Sequence, residues 1–257
     1  MNAEEIFARA LNRETLSREE AYWLWEEAPL ERLAAVADEV RRNVVPDPKV
    51  VTWQIDRNVN ITNVCISGCK FCNFHCKPHQ RDRHFITSRE EYYQKIEETF
   101  RFGGDQLLLQ GGLHPDLKID FYEELFRDLK AHYPTLRVNA LGAAEVSHIA
   151  RISGLSTRET LERLHRAGLD TLPGAGAEIL SPEVRRRLSP AKPSVEEWLQ
   201  VMHEAHKLDI PTTATMMYGH IETPRERIDH LLTLRDLQAQ KPASARGFTA
   251  FIPWIFR

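Results

Sequence analysis

The chain has 257 residues, of which 42% are hydrophobic and 28% charged, and this composition excludes a disordered or collagen-like protein. Its 34 basic and 37 acidic residues give a net charge of −3, so no basic excess is available to bind duplex nucleic acid. The longest nearly apolar run, residues 248–256, is far shorter than the ~20 residues that span a bilayer. The acidic N-terminus lacks the basic and apolar regions of a secretory signal. We therefore expect a cytoplasmic protein that has neither a membrane nor a nucleic acid as its partner.

The first 47 residues have the pattern of helices. Ser17 and Glu20 have the spacing of a capping box, as do Asn2 and Glu5, and residues 30–42 carry apolar side chains at helical spacing. We predict that residues 1–47 form a helical segment packed on a larger domain, residues 48–257.

Beyond residue 48, short apolar strands alternate with helices. The predicted strands are residues 51–61, 106–110, 136–141, 170–173, 212–218 and 248–254. The helix starts between them carry capping signals, namely Ser88 with Glu91, Asp120 with Glu123, Ser194 with Glu197 and Thr223 with Glu226. Six strand–helix repeats imply right-handed crossovers and therefore a parallel sheet.

Two α/β architectures share this alternation, an open doubly wound sheet and a closed (βα) barrel of the TIM type. Polar and glycine clusters recur after successive strands, at residues 110–112, 142–145, 174–178 and 219–222. In a barrel these positions meet on the C-terminal face, where sites are built, so we favour the barrel. Six units are visible up to residue 257, and an eight-strand barrel needs two more. We therefore expect either a fragment or a partial barrel that is truncated after the sixth strand, and such a chain can lack turnover.

All four cysteines lie within one short segment, as Cys65, Cys69, Cys72 and Cys76. A disulfide framework would spread its cysteines to close long loops. Four thiols this close together, in a reducing compartment, instead indicate metal binding. The spacing C-x3-C-x2-C-x3-C, in a loop after the first predicted strand, allows the first three thiolates to surround one compact cluster.

Other metal sites fit this spacing less well. Cys69 and Cys72 with His75 and His79 have the ligand types of structural zinc, but zinc folds usually separate two ligand pairs by a longer span. A bacterial ferredoxin run uses x2 twice before x3 and places proline directly after its last cysteine, and neither feature occurs here. With Cys76 as a fourth ligand the site would be a closed electron carrier, whereas a spare Cys76 leaves one iron open.

Polar residues at matching places in the repeat are candidate active-site groups. Glu145, Glu178 and Glu222 each follow a predicted strand, and His220 precedes the last of them. A carboxylate there can accept hydrogen bonds from a ribose or take a substrate proton, and a histidine titrates near neutrality. Each glutamate alone is better explained as a helix-start acid favoured by the helix dipole, but three at equivalent positions make a site as well supported as that explanation. We expect the histidines inside helical stretches to lie on the surface, namely His132, His203, His206 and His230.

The stretch C-x3-C-x2-C with Phe71 before the last cysteine resembles the signature of the radical S-adenosylmethionine (radical SAM) superfamily. The resemblance implies that three thiolates hold a [4Fe–4S] cluster whose open iron is chelated by S-adenosylmethionine. It assigns Cys65, Cys69 and Cys72 as cluster ligands. Phe71, Gly111, Gly112 and His114 follow from it as cofactor contacts, the last three in the segment QGGLHP.

Within that superfamily, longer segments resemble the dehypoxanthine futalosine cyclase family of menaquinone biosynthesis. These are TWQIDRNVNITNVC, CKFCNF, QLLLQGGLHPDL, LPGAGAEIL, TTATMMYGHIET and GFTAFIPW. The resemblance implies that a 5′-deoxyadenosyl radical takes a hydrogen from the sugar of dehypoxanthine futalosine. The carbon radical then closes onto the aromatic ring, and loss of an electron and a proton restores aromaticity. A flavodoxin or ferredoxin would supply the starting electron.

Related enzymes remain as alternatives to the cyclase. Aminofutalosine synthase and the FO synthases share the cysteine loop, the QGG turn and the G-H-x-[ED]-T stretch, while the FIPW segment most separates the cyclase from them. The segment HCKPHQRDRH departs from the cyclase pattern, which has a tyrosine–arginine pair and a P-G-H stretch there. A four-cysteine iron–sulfur electron carrier is the non-catalytic alternative. The FIPWIF stretch itself is expected to be a core strand.

Overall fold

Ten α-helices carry most of the regular structure of residues 2–256, the part of the chain that this computed structural model describes. No helix in that range is both long and apolar enough to cross a membrane. In chain order the helices are α1 (Ala3–Leu11), α2 (Arg18–Glu26), α3 (Leu30–Val44), α4 (Arg89–Arg101), α5 (Ile119–His132), α6 (Ala143–Ser153), α7 (Thr157–Ala167), α8 (Pro182–Leu188), α9 (Val195–Lys207) and α10 (Pro224–Ala239).

The strands are all parallel to their neighbours. The first sheet has the order β1 (Asp56–Asn60), β2 (Gln106–Gln110), β3 (Arg137–Ala140), and the second pairs β4 (Thr212–Tyr218) with β5 (Phe248–Ile255). Isolated bridges from Asn139 to Thr171 and from Leu172 to Thr212 join the two sheets. The prediction of an α/β protein with parallel strands is confirmed, because six β segments follow one another side by side.

Two predicted strands differ most from those observed. The first begins at Asp56 rather than residue 51, since Asp56 already pairs with Gln106 at the start of β2. The preceding residues have no neighbouring strand to pair with, and Val51 and Trp53 are exposed. The fourth predicted strand, residues 170–173, is reduced to the two single bridges that connect the sheets.

Most of the predicted helix starts form as capping boxes. The Ser or Thr side chain accepts the N3 backbone N–H and the Glu side chain accepts the N-cap N–H at Ser17, Ser88, Ser194 and Thr223. The prediction at Asp120 is wrong, because α5 begins one residue earlier and the carboxylate instead accepts a hydrogen bond from Arg163 at 2.8 Å. Asn2 precedes α1 but its side chain makes no capping bond.

The N-terminal helices pack against α10. Tyr22 Oη donates to Asp229 Oδ1 at 2.8 Å, and Arg225 Nε donates to Glu26 Oε1 at 2.9 Å. The Arg225 guanidinium also lies 4.8 Å from the centre of the Tyr22 ring. These contacts attach α2 to the outer helix layer, far along the chain from the cysteine loop.

The main core lies between the parallel strands and the helices that cross over them. Leu107 and Leu109 on β2 and Phe126 and Leu129 on α5 are fully buried in it. Burying apolar side chains from both layers provides the main driving force that holds the strand ends in place.

The FIPWIF segment forms a strand but not a core strand, contrary to prediction. Phe251, Ile252 and Trp254 of β5 are each about 40% exposed, at 41%, 42% and 39%. Within residues 2–256, β4 is the only strand that pairs with β5, so one edge of β5 has no neighbour. A strand that is apolar on both faces is typical of the interior of a parallel sheet, but β5 lies at the edge of its sheet.

Two helical histidines are also buried rather than on the surface as predicted. His206 and His230 have no exposed area, whereas His132 is exposed. Burial lowers the pKa of each buried imidazole to about 4. His230 keeps one ring nitrogen engaged, since Nδ1 accepts the Leu180 N–H at 3.0 Å.

His230 is therefore expected to make the fold sensitive to acid. The unfolded imidazole takes up its proton near pH 6.5 and the folded one only near pH 4, so the unfolded state binds more protons between these values. Its contribution to the free energy of unfolding is complete above pH 6.5 and falls as the pH drops, by about 3 kcal/mol at pH 4. Urea unfolding at several pH values measures this loss, and His230→Gln should flatten the dependence while His203→Gln leaves it unchanged.

Candidate active site

The four cysteines lie in the long connection between β1 and α4. Backbone hydrogen bonds close this loop on itself, from Cys65 N–H to the Cys76 carbonyl at 2.9 Å and from Cys76 N–H to the Asn63 carbonyl at 2.7 Å. Its middle is fixed to the end of α8, where the Lys70 N–H donates to the Leu188 carbonyl at 2.9 Å. The loop therefore has a defined shape before any ligand is considered.

The first three cysteines line one cavity of about 200 Å³. Cys65 and Cys69 are buried and Cys72 is half-buried. The wall combines the cysteine loop with the turns that follow β2 and β3 and with residues further along the chain. Besides the cysteines it contains Ser67, Phe71, Phe74, His75, Gly111, Gly112, Leu113, Glu145, Gly176 and Lys192.

Polar groups aim directly at two of the sulfurs. The Ser67 hydroxyl lies 3.0 Å from Cys65 Sγ and 3.3 Å from Cys69 Sγ, and the Leu113 N–H donates to Cys65 Sγ at 3.3 Å. Burial raises the pKa of the Cys69 thiol, and the nearby Lys192 ammonium opposes that rise. Donors and a cation around the sulfurs suit thiolate ligands, since hydrogen bonds to sulfur stabilise and tune such sites.

Cys76 points away from this cavity and is not part of its wall. Its side chain is fully buried, with Sγ 3.4 Å from the Gln80 carbonyl oxygen. Cys76 therefore closes the loop through its backbone hydrogen bonds, and its thiol does not join the other three in the cavity.

The glycine pair after β2 packs against the cysteine loop. A Cβ at Gly112 would lie 2.1 Å from the Val64 carbonyl oxygen, so no larger residue fits without moving the backbone. The Gly112 N–H donates to the Thr62 carbonyl at 2.8 Å, and the Gly111 N–H donates to Glu145 Oε1 at 2.9 Å. Because both N–H groups are used internally, carbonyl oxygens are what this turn can offer a ligand.

Glu145 lines the cavity and links two turns. Its second oxygen accepts the Gly142 N–H at 2.8 Å, so one carboxyl group connects the turn after β2 with the start of α6. Burial raises the pKa of Glu145 to about 8, against the effect of the two N–H donors, which favour the ionised form. The geometry makes it a positioning group for the cavity wall.

Glu178 reaches the cavity only through a lysine that sequence reasoning missed. Lys192 Nζ lies 2.6 Å from Glu178 Oε1, with Glu178 buried and Lys192 half-buried. Lys192 itself is a wall residue, and Glu178 adopts a positive φ of 46° to place its side chain there. Lys192 sits in a proline-flanked loop between α8 and α9, where no motif or periodicity marks it.

The remaining candidates lie outside the cavity. Glu222 accepts the backbone N–H groups of Gly219 at 2.6 Å and His220 at 2.9 Å, and it pairs with Arg227. Burial alone would raise the pKa of Glu222, but these donors outweigh it and keep the pKa below its usual range. His114 Nδ1 accepts the Asp116 N–H at 3.1 Å. All three are engaged in local turns that flank the site.

Within residues 2–256, no group of three or more His, Cys, Asp or Glu side chains converges on a point where a single metal ion could bind. A single zinc ion needs every sulfur about 2.3 Å from one centre. Thiolates that hold a cubane cluster bind different irons and stand further apart. The cysteine cavity is therefore to be compared with the site of a cubane cluster and not with the site of a single ion.

The match to a known protein family identifies the superfamily of the chain that contains this cavity. The family model of the radical SAM superfamily matches residues 59–234, which include the cysteine loop, the glycine pair and Lys192. The chain belongs to the radical SAM superfamily. Enzymes of this superfamily use a [4Fe–4S] cluster and S-adenosylmethionine, as the sequence predicted for this chain.

Two curated relatives of this radical SAM chain are equally similar to it. One is the cyclic dehypoxanthine futalosine synthase of Streptomyces coelicolor, which is 42% identical over 98% of this chain and 62% of its own length. The other is the 5-amino-6-(D-ribitylamino)uracil–L-tyrosine 4-hydroxyphenyl transferase 1 of Methanosarcina mazei, also 42% identical over 98% of this chain and 64% of its own length. The chain thus spans less than two thirds of either relative.

A solved structure supports the fold independently. The [FeFe]-hydrogenase maturase HydG superimposes on 99% of this chain and 54% of its own, with a TM-score of 0.72 at 18% sequence identity. At this level of identity the match concerns the fold alone. It agrees with the parallel α/β arrangement described above.

Gly112→Ala should disrupt the site because the added methyl group collides with the Val64 backbone. We expect the free energy of unfolding to fall by about 1–3 kcal/mol and iron and sulfide incorporation to drop sharply, as Cys65 is displaced with its neighbour. Gly154→Ala is the matched control: φ there is +68° with no atom within 4 Å, so it strains the backbone at the end of α6 without touching the loop. Equal incorporation in the two variants, measured by iron and sulfide assay, would contradict this account.

Proposed function

We propose that this chain carries the cofactor-binding machinery of a radical SAM enzyme that cyclises dehypoxanthine futalosine in menaquinone biosynthesis. The observation that carries the proposal is the convergence of the three motif cysteines and the glycine pair on one cavity. The 42% identity to the Streptomyces coelicolor cyclase supports the choice of substrate. The FIPW segment, now seen as β5, supports it too.

The residues around the cavity fit the cluster. Three thiols face one space, two of them with hydrogen-bond donors, and the fourth cysteine is turned away. Cys65, Cys69 and Cys72 would therefore hold three irons and leave the fourth open. When bound, the cluster and S-adenosylmethionine supply a carbon-centred radical by one-electron cleavage of the sulfonium.

Groups of the chain itself would bind and orient the cofactor. Carbonyl oxygens of the Gly111–Gly112 turn would accept hydrogen bonds from the ammonium group of S-adenosylmethionine, since the N–H groups of that turn are already used. Glu145 holds that turn against α6 and acts by positioning rather than by proton transfer. Phe71 and Phe74 contribute apolar wall and restrict water, which protects a reactive radical.

The finer architecture and the partners belong to the same proposal. We interpret the six parallel β segments as consecutive strands of a (βα) barrel, with the cysteine cavity at their C-terminal ends. Cys72 is the most exposed of the three ligands, and its side is the shortest route for an electron from outside. A low-potential flavodoxin or ferredoxin is the proposed donor, and a cytoplasmic location suits both donor and thiols.

A second candidate function rests on an observation of equal weight. The Methanosarcina mazei relative is as similar as the cyclase and is named for transfer of a 4-hydroxyphenyl group from L-tyrosine to 5-amino-6-(D-ribitylamino)uracil. The cavity proposed to bind the cofactor does not discriminate between the two substrates.

Substrate assays separate these functions. The protein, reconstituted anaerobically and reduced with dithionite, is incubated with S-adenosylmethionine and either dehypoxanthine futalosine or tyrosine plus 5-amino-6-(D-ribitylamino)uracil. The cyclase proposal predicts 5′-deoxyadenosine and a product lighter than dehypoxanthine futalosine by one pair of hydrogens, as detected by mass spectrometry. Formation of 5′-deoxyadenosine with the tyrosine pair alone would assign the second function. Cofactor cleavage without conversion of either substrate set, by a protein as long as these relatives, would contradict both.

Serine substitutions test the ligand assignment. Cys65→Ser, Cys69→Ser and Cys72→Ser should each lose most of the cluster, because a serine hydroxyl replaces an iron-binding thiolate. Cys76→Ser, the matched control in the same loop, should keep it, since the hydroxyl can still donate to the Gln80 carbonyl. Iron and sulfide content and the electron paramagnetic resonance (EPR) signal of the reduced protein report the outcome. Loss of the cluster in Cys76→Ser would instead favour a closed four-cysteine carrier.

A further inference from the structure

Lys192 in the cavity wall forms an ion pair that the ligand assignment does not use. Lys192 Nζ lies 2.6 Å from Glu178 Oε1, with side-chain exposures of only 14% and 5%. The same ammonium lies 5.4 Å from the centre of the Phe71 ring, and Phe71 directly precedes Cys72 in the motif. The pair therefore stands at the edge of the space that the three thiols face.

A second cation, the buried Arg185, contacts the cavity wall through Gly176. The Arg185 guanidinium donates to the carbonyl oxygens of Gly176 and Ala177, both at 2.9 Å, and to that of Pro193. Among residues 2–256, no carboxylate lies within ion-pair distance of Arg185. Lys192, Arg185 and Glu178 together thus carry two positive charges and one negative charge, a net charge of +1, and Lys192 is the one of the three that lines the cavity.

A net positive charge buried in this way needs a physical reason. Removing a cation from water without an anionic partner costs several kcal/mol, and charges in a poorly solvated interior act strongly on one another. An anionic group bound in the cavity would supply the missing counter-charge.

We propose that the Lys192–Glu178 pair and Arg185 together set the reduction potential of the cluster in the cysteine cavity. This inference rests on the cluster assignment made above. Reduction by a low-potential one-electron donor adds one unit of negative charge to the cavity. The Lys192 ammonium stabilises that added charge and the Glu178 carboxylate destabilises it, so the balance between them determines how readily the electron is accepted.

The proposal predicts shifts of opposite sign for substitutions within one ion pair. Lys192→Met removes the cation and should make the midpoint potential more negative. Glu178→Gln removes the anion and should make it less negative. The double variant should lie close to the parent protein. A purely structural pair would give similar effects from either single change, because each breaks the same contact.

The test is a potentiometric titration of the iron- and sulfide-reconstituted protein, with dithionite as reductant and EPR as the readout. It needs neither substrate nor S-adenosylmethionine. Lys130→Met is the matched control, since Lys130 Nζ also pairs with a carboxylate at 2.6 Å, that of Asp170, but does not line the cavity. Its potential should equal that of the parent. Circular dichroism of each variant checks folding.

The outcomes separate this inference from the proposed function. A parent protein that assembles no cluster would overturn the function and the inference together. An intact cluster whose potential shifts in the same direction in both single variants, or in neither, would overturn the inference alone. If Lys192→Met fails to assemble a cluster, the sign of the shift in Glu178→Gln decides the question.

Discussion

The close contact between the turn after β2 and the cysteine loop is the constraint on which the rest of the site depends. Gly112 lies so near Val64 that even a methyl group would collide with the backbone. This contact brings the Leu113 N–H onto the Cys65 sulfur and leaves the carbonyl side of the turn to face the cavity. One glycine thus couples the parallel sheet, which positions the turn, to the loop that presents the thiols.

The cavity is assembled from buried polar groups that carry a cost in stability. Glu145 is buried with its pKa raised, and Arg185 is buried with only carbonyl partners. Such groups are tolerated where backbone donors or acceptors satisfy them, and they concentrate where a fold serves chemistry. Their arrangement here, around three thiols, is the pattern expected when a charged cofactor is part of the finished site.

The evidence for the cofactor chemistry is stronger than the evidence for the choice of substrate, because the two depend on different parts of the molecule. The superfamily match covers the cysteine loop, the glycine turn and Lys192, which together form the cavity wall. Two relatives with different named reactions are each 42% identical to the chain.

The sequence alone determined the features that depend on short-range spacing. The cysteine motif indicated the superfamily correctly, and β2, β4 and most helix caps were predicted correctly, because motif spacing and capping act over a few residues. Tertiary structure decided which polar groups reach the cavity. Glu145 and Lys192 meet there while Glu222 is held in a local turn, and β5 is exposed, since burial and charge proximity depend on elements far apart in the chain.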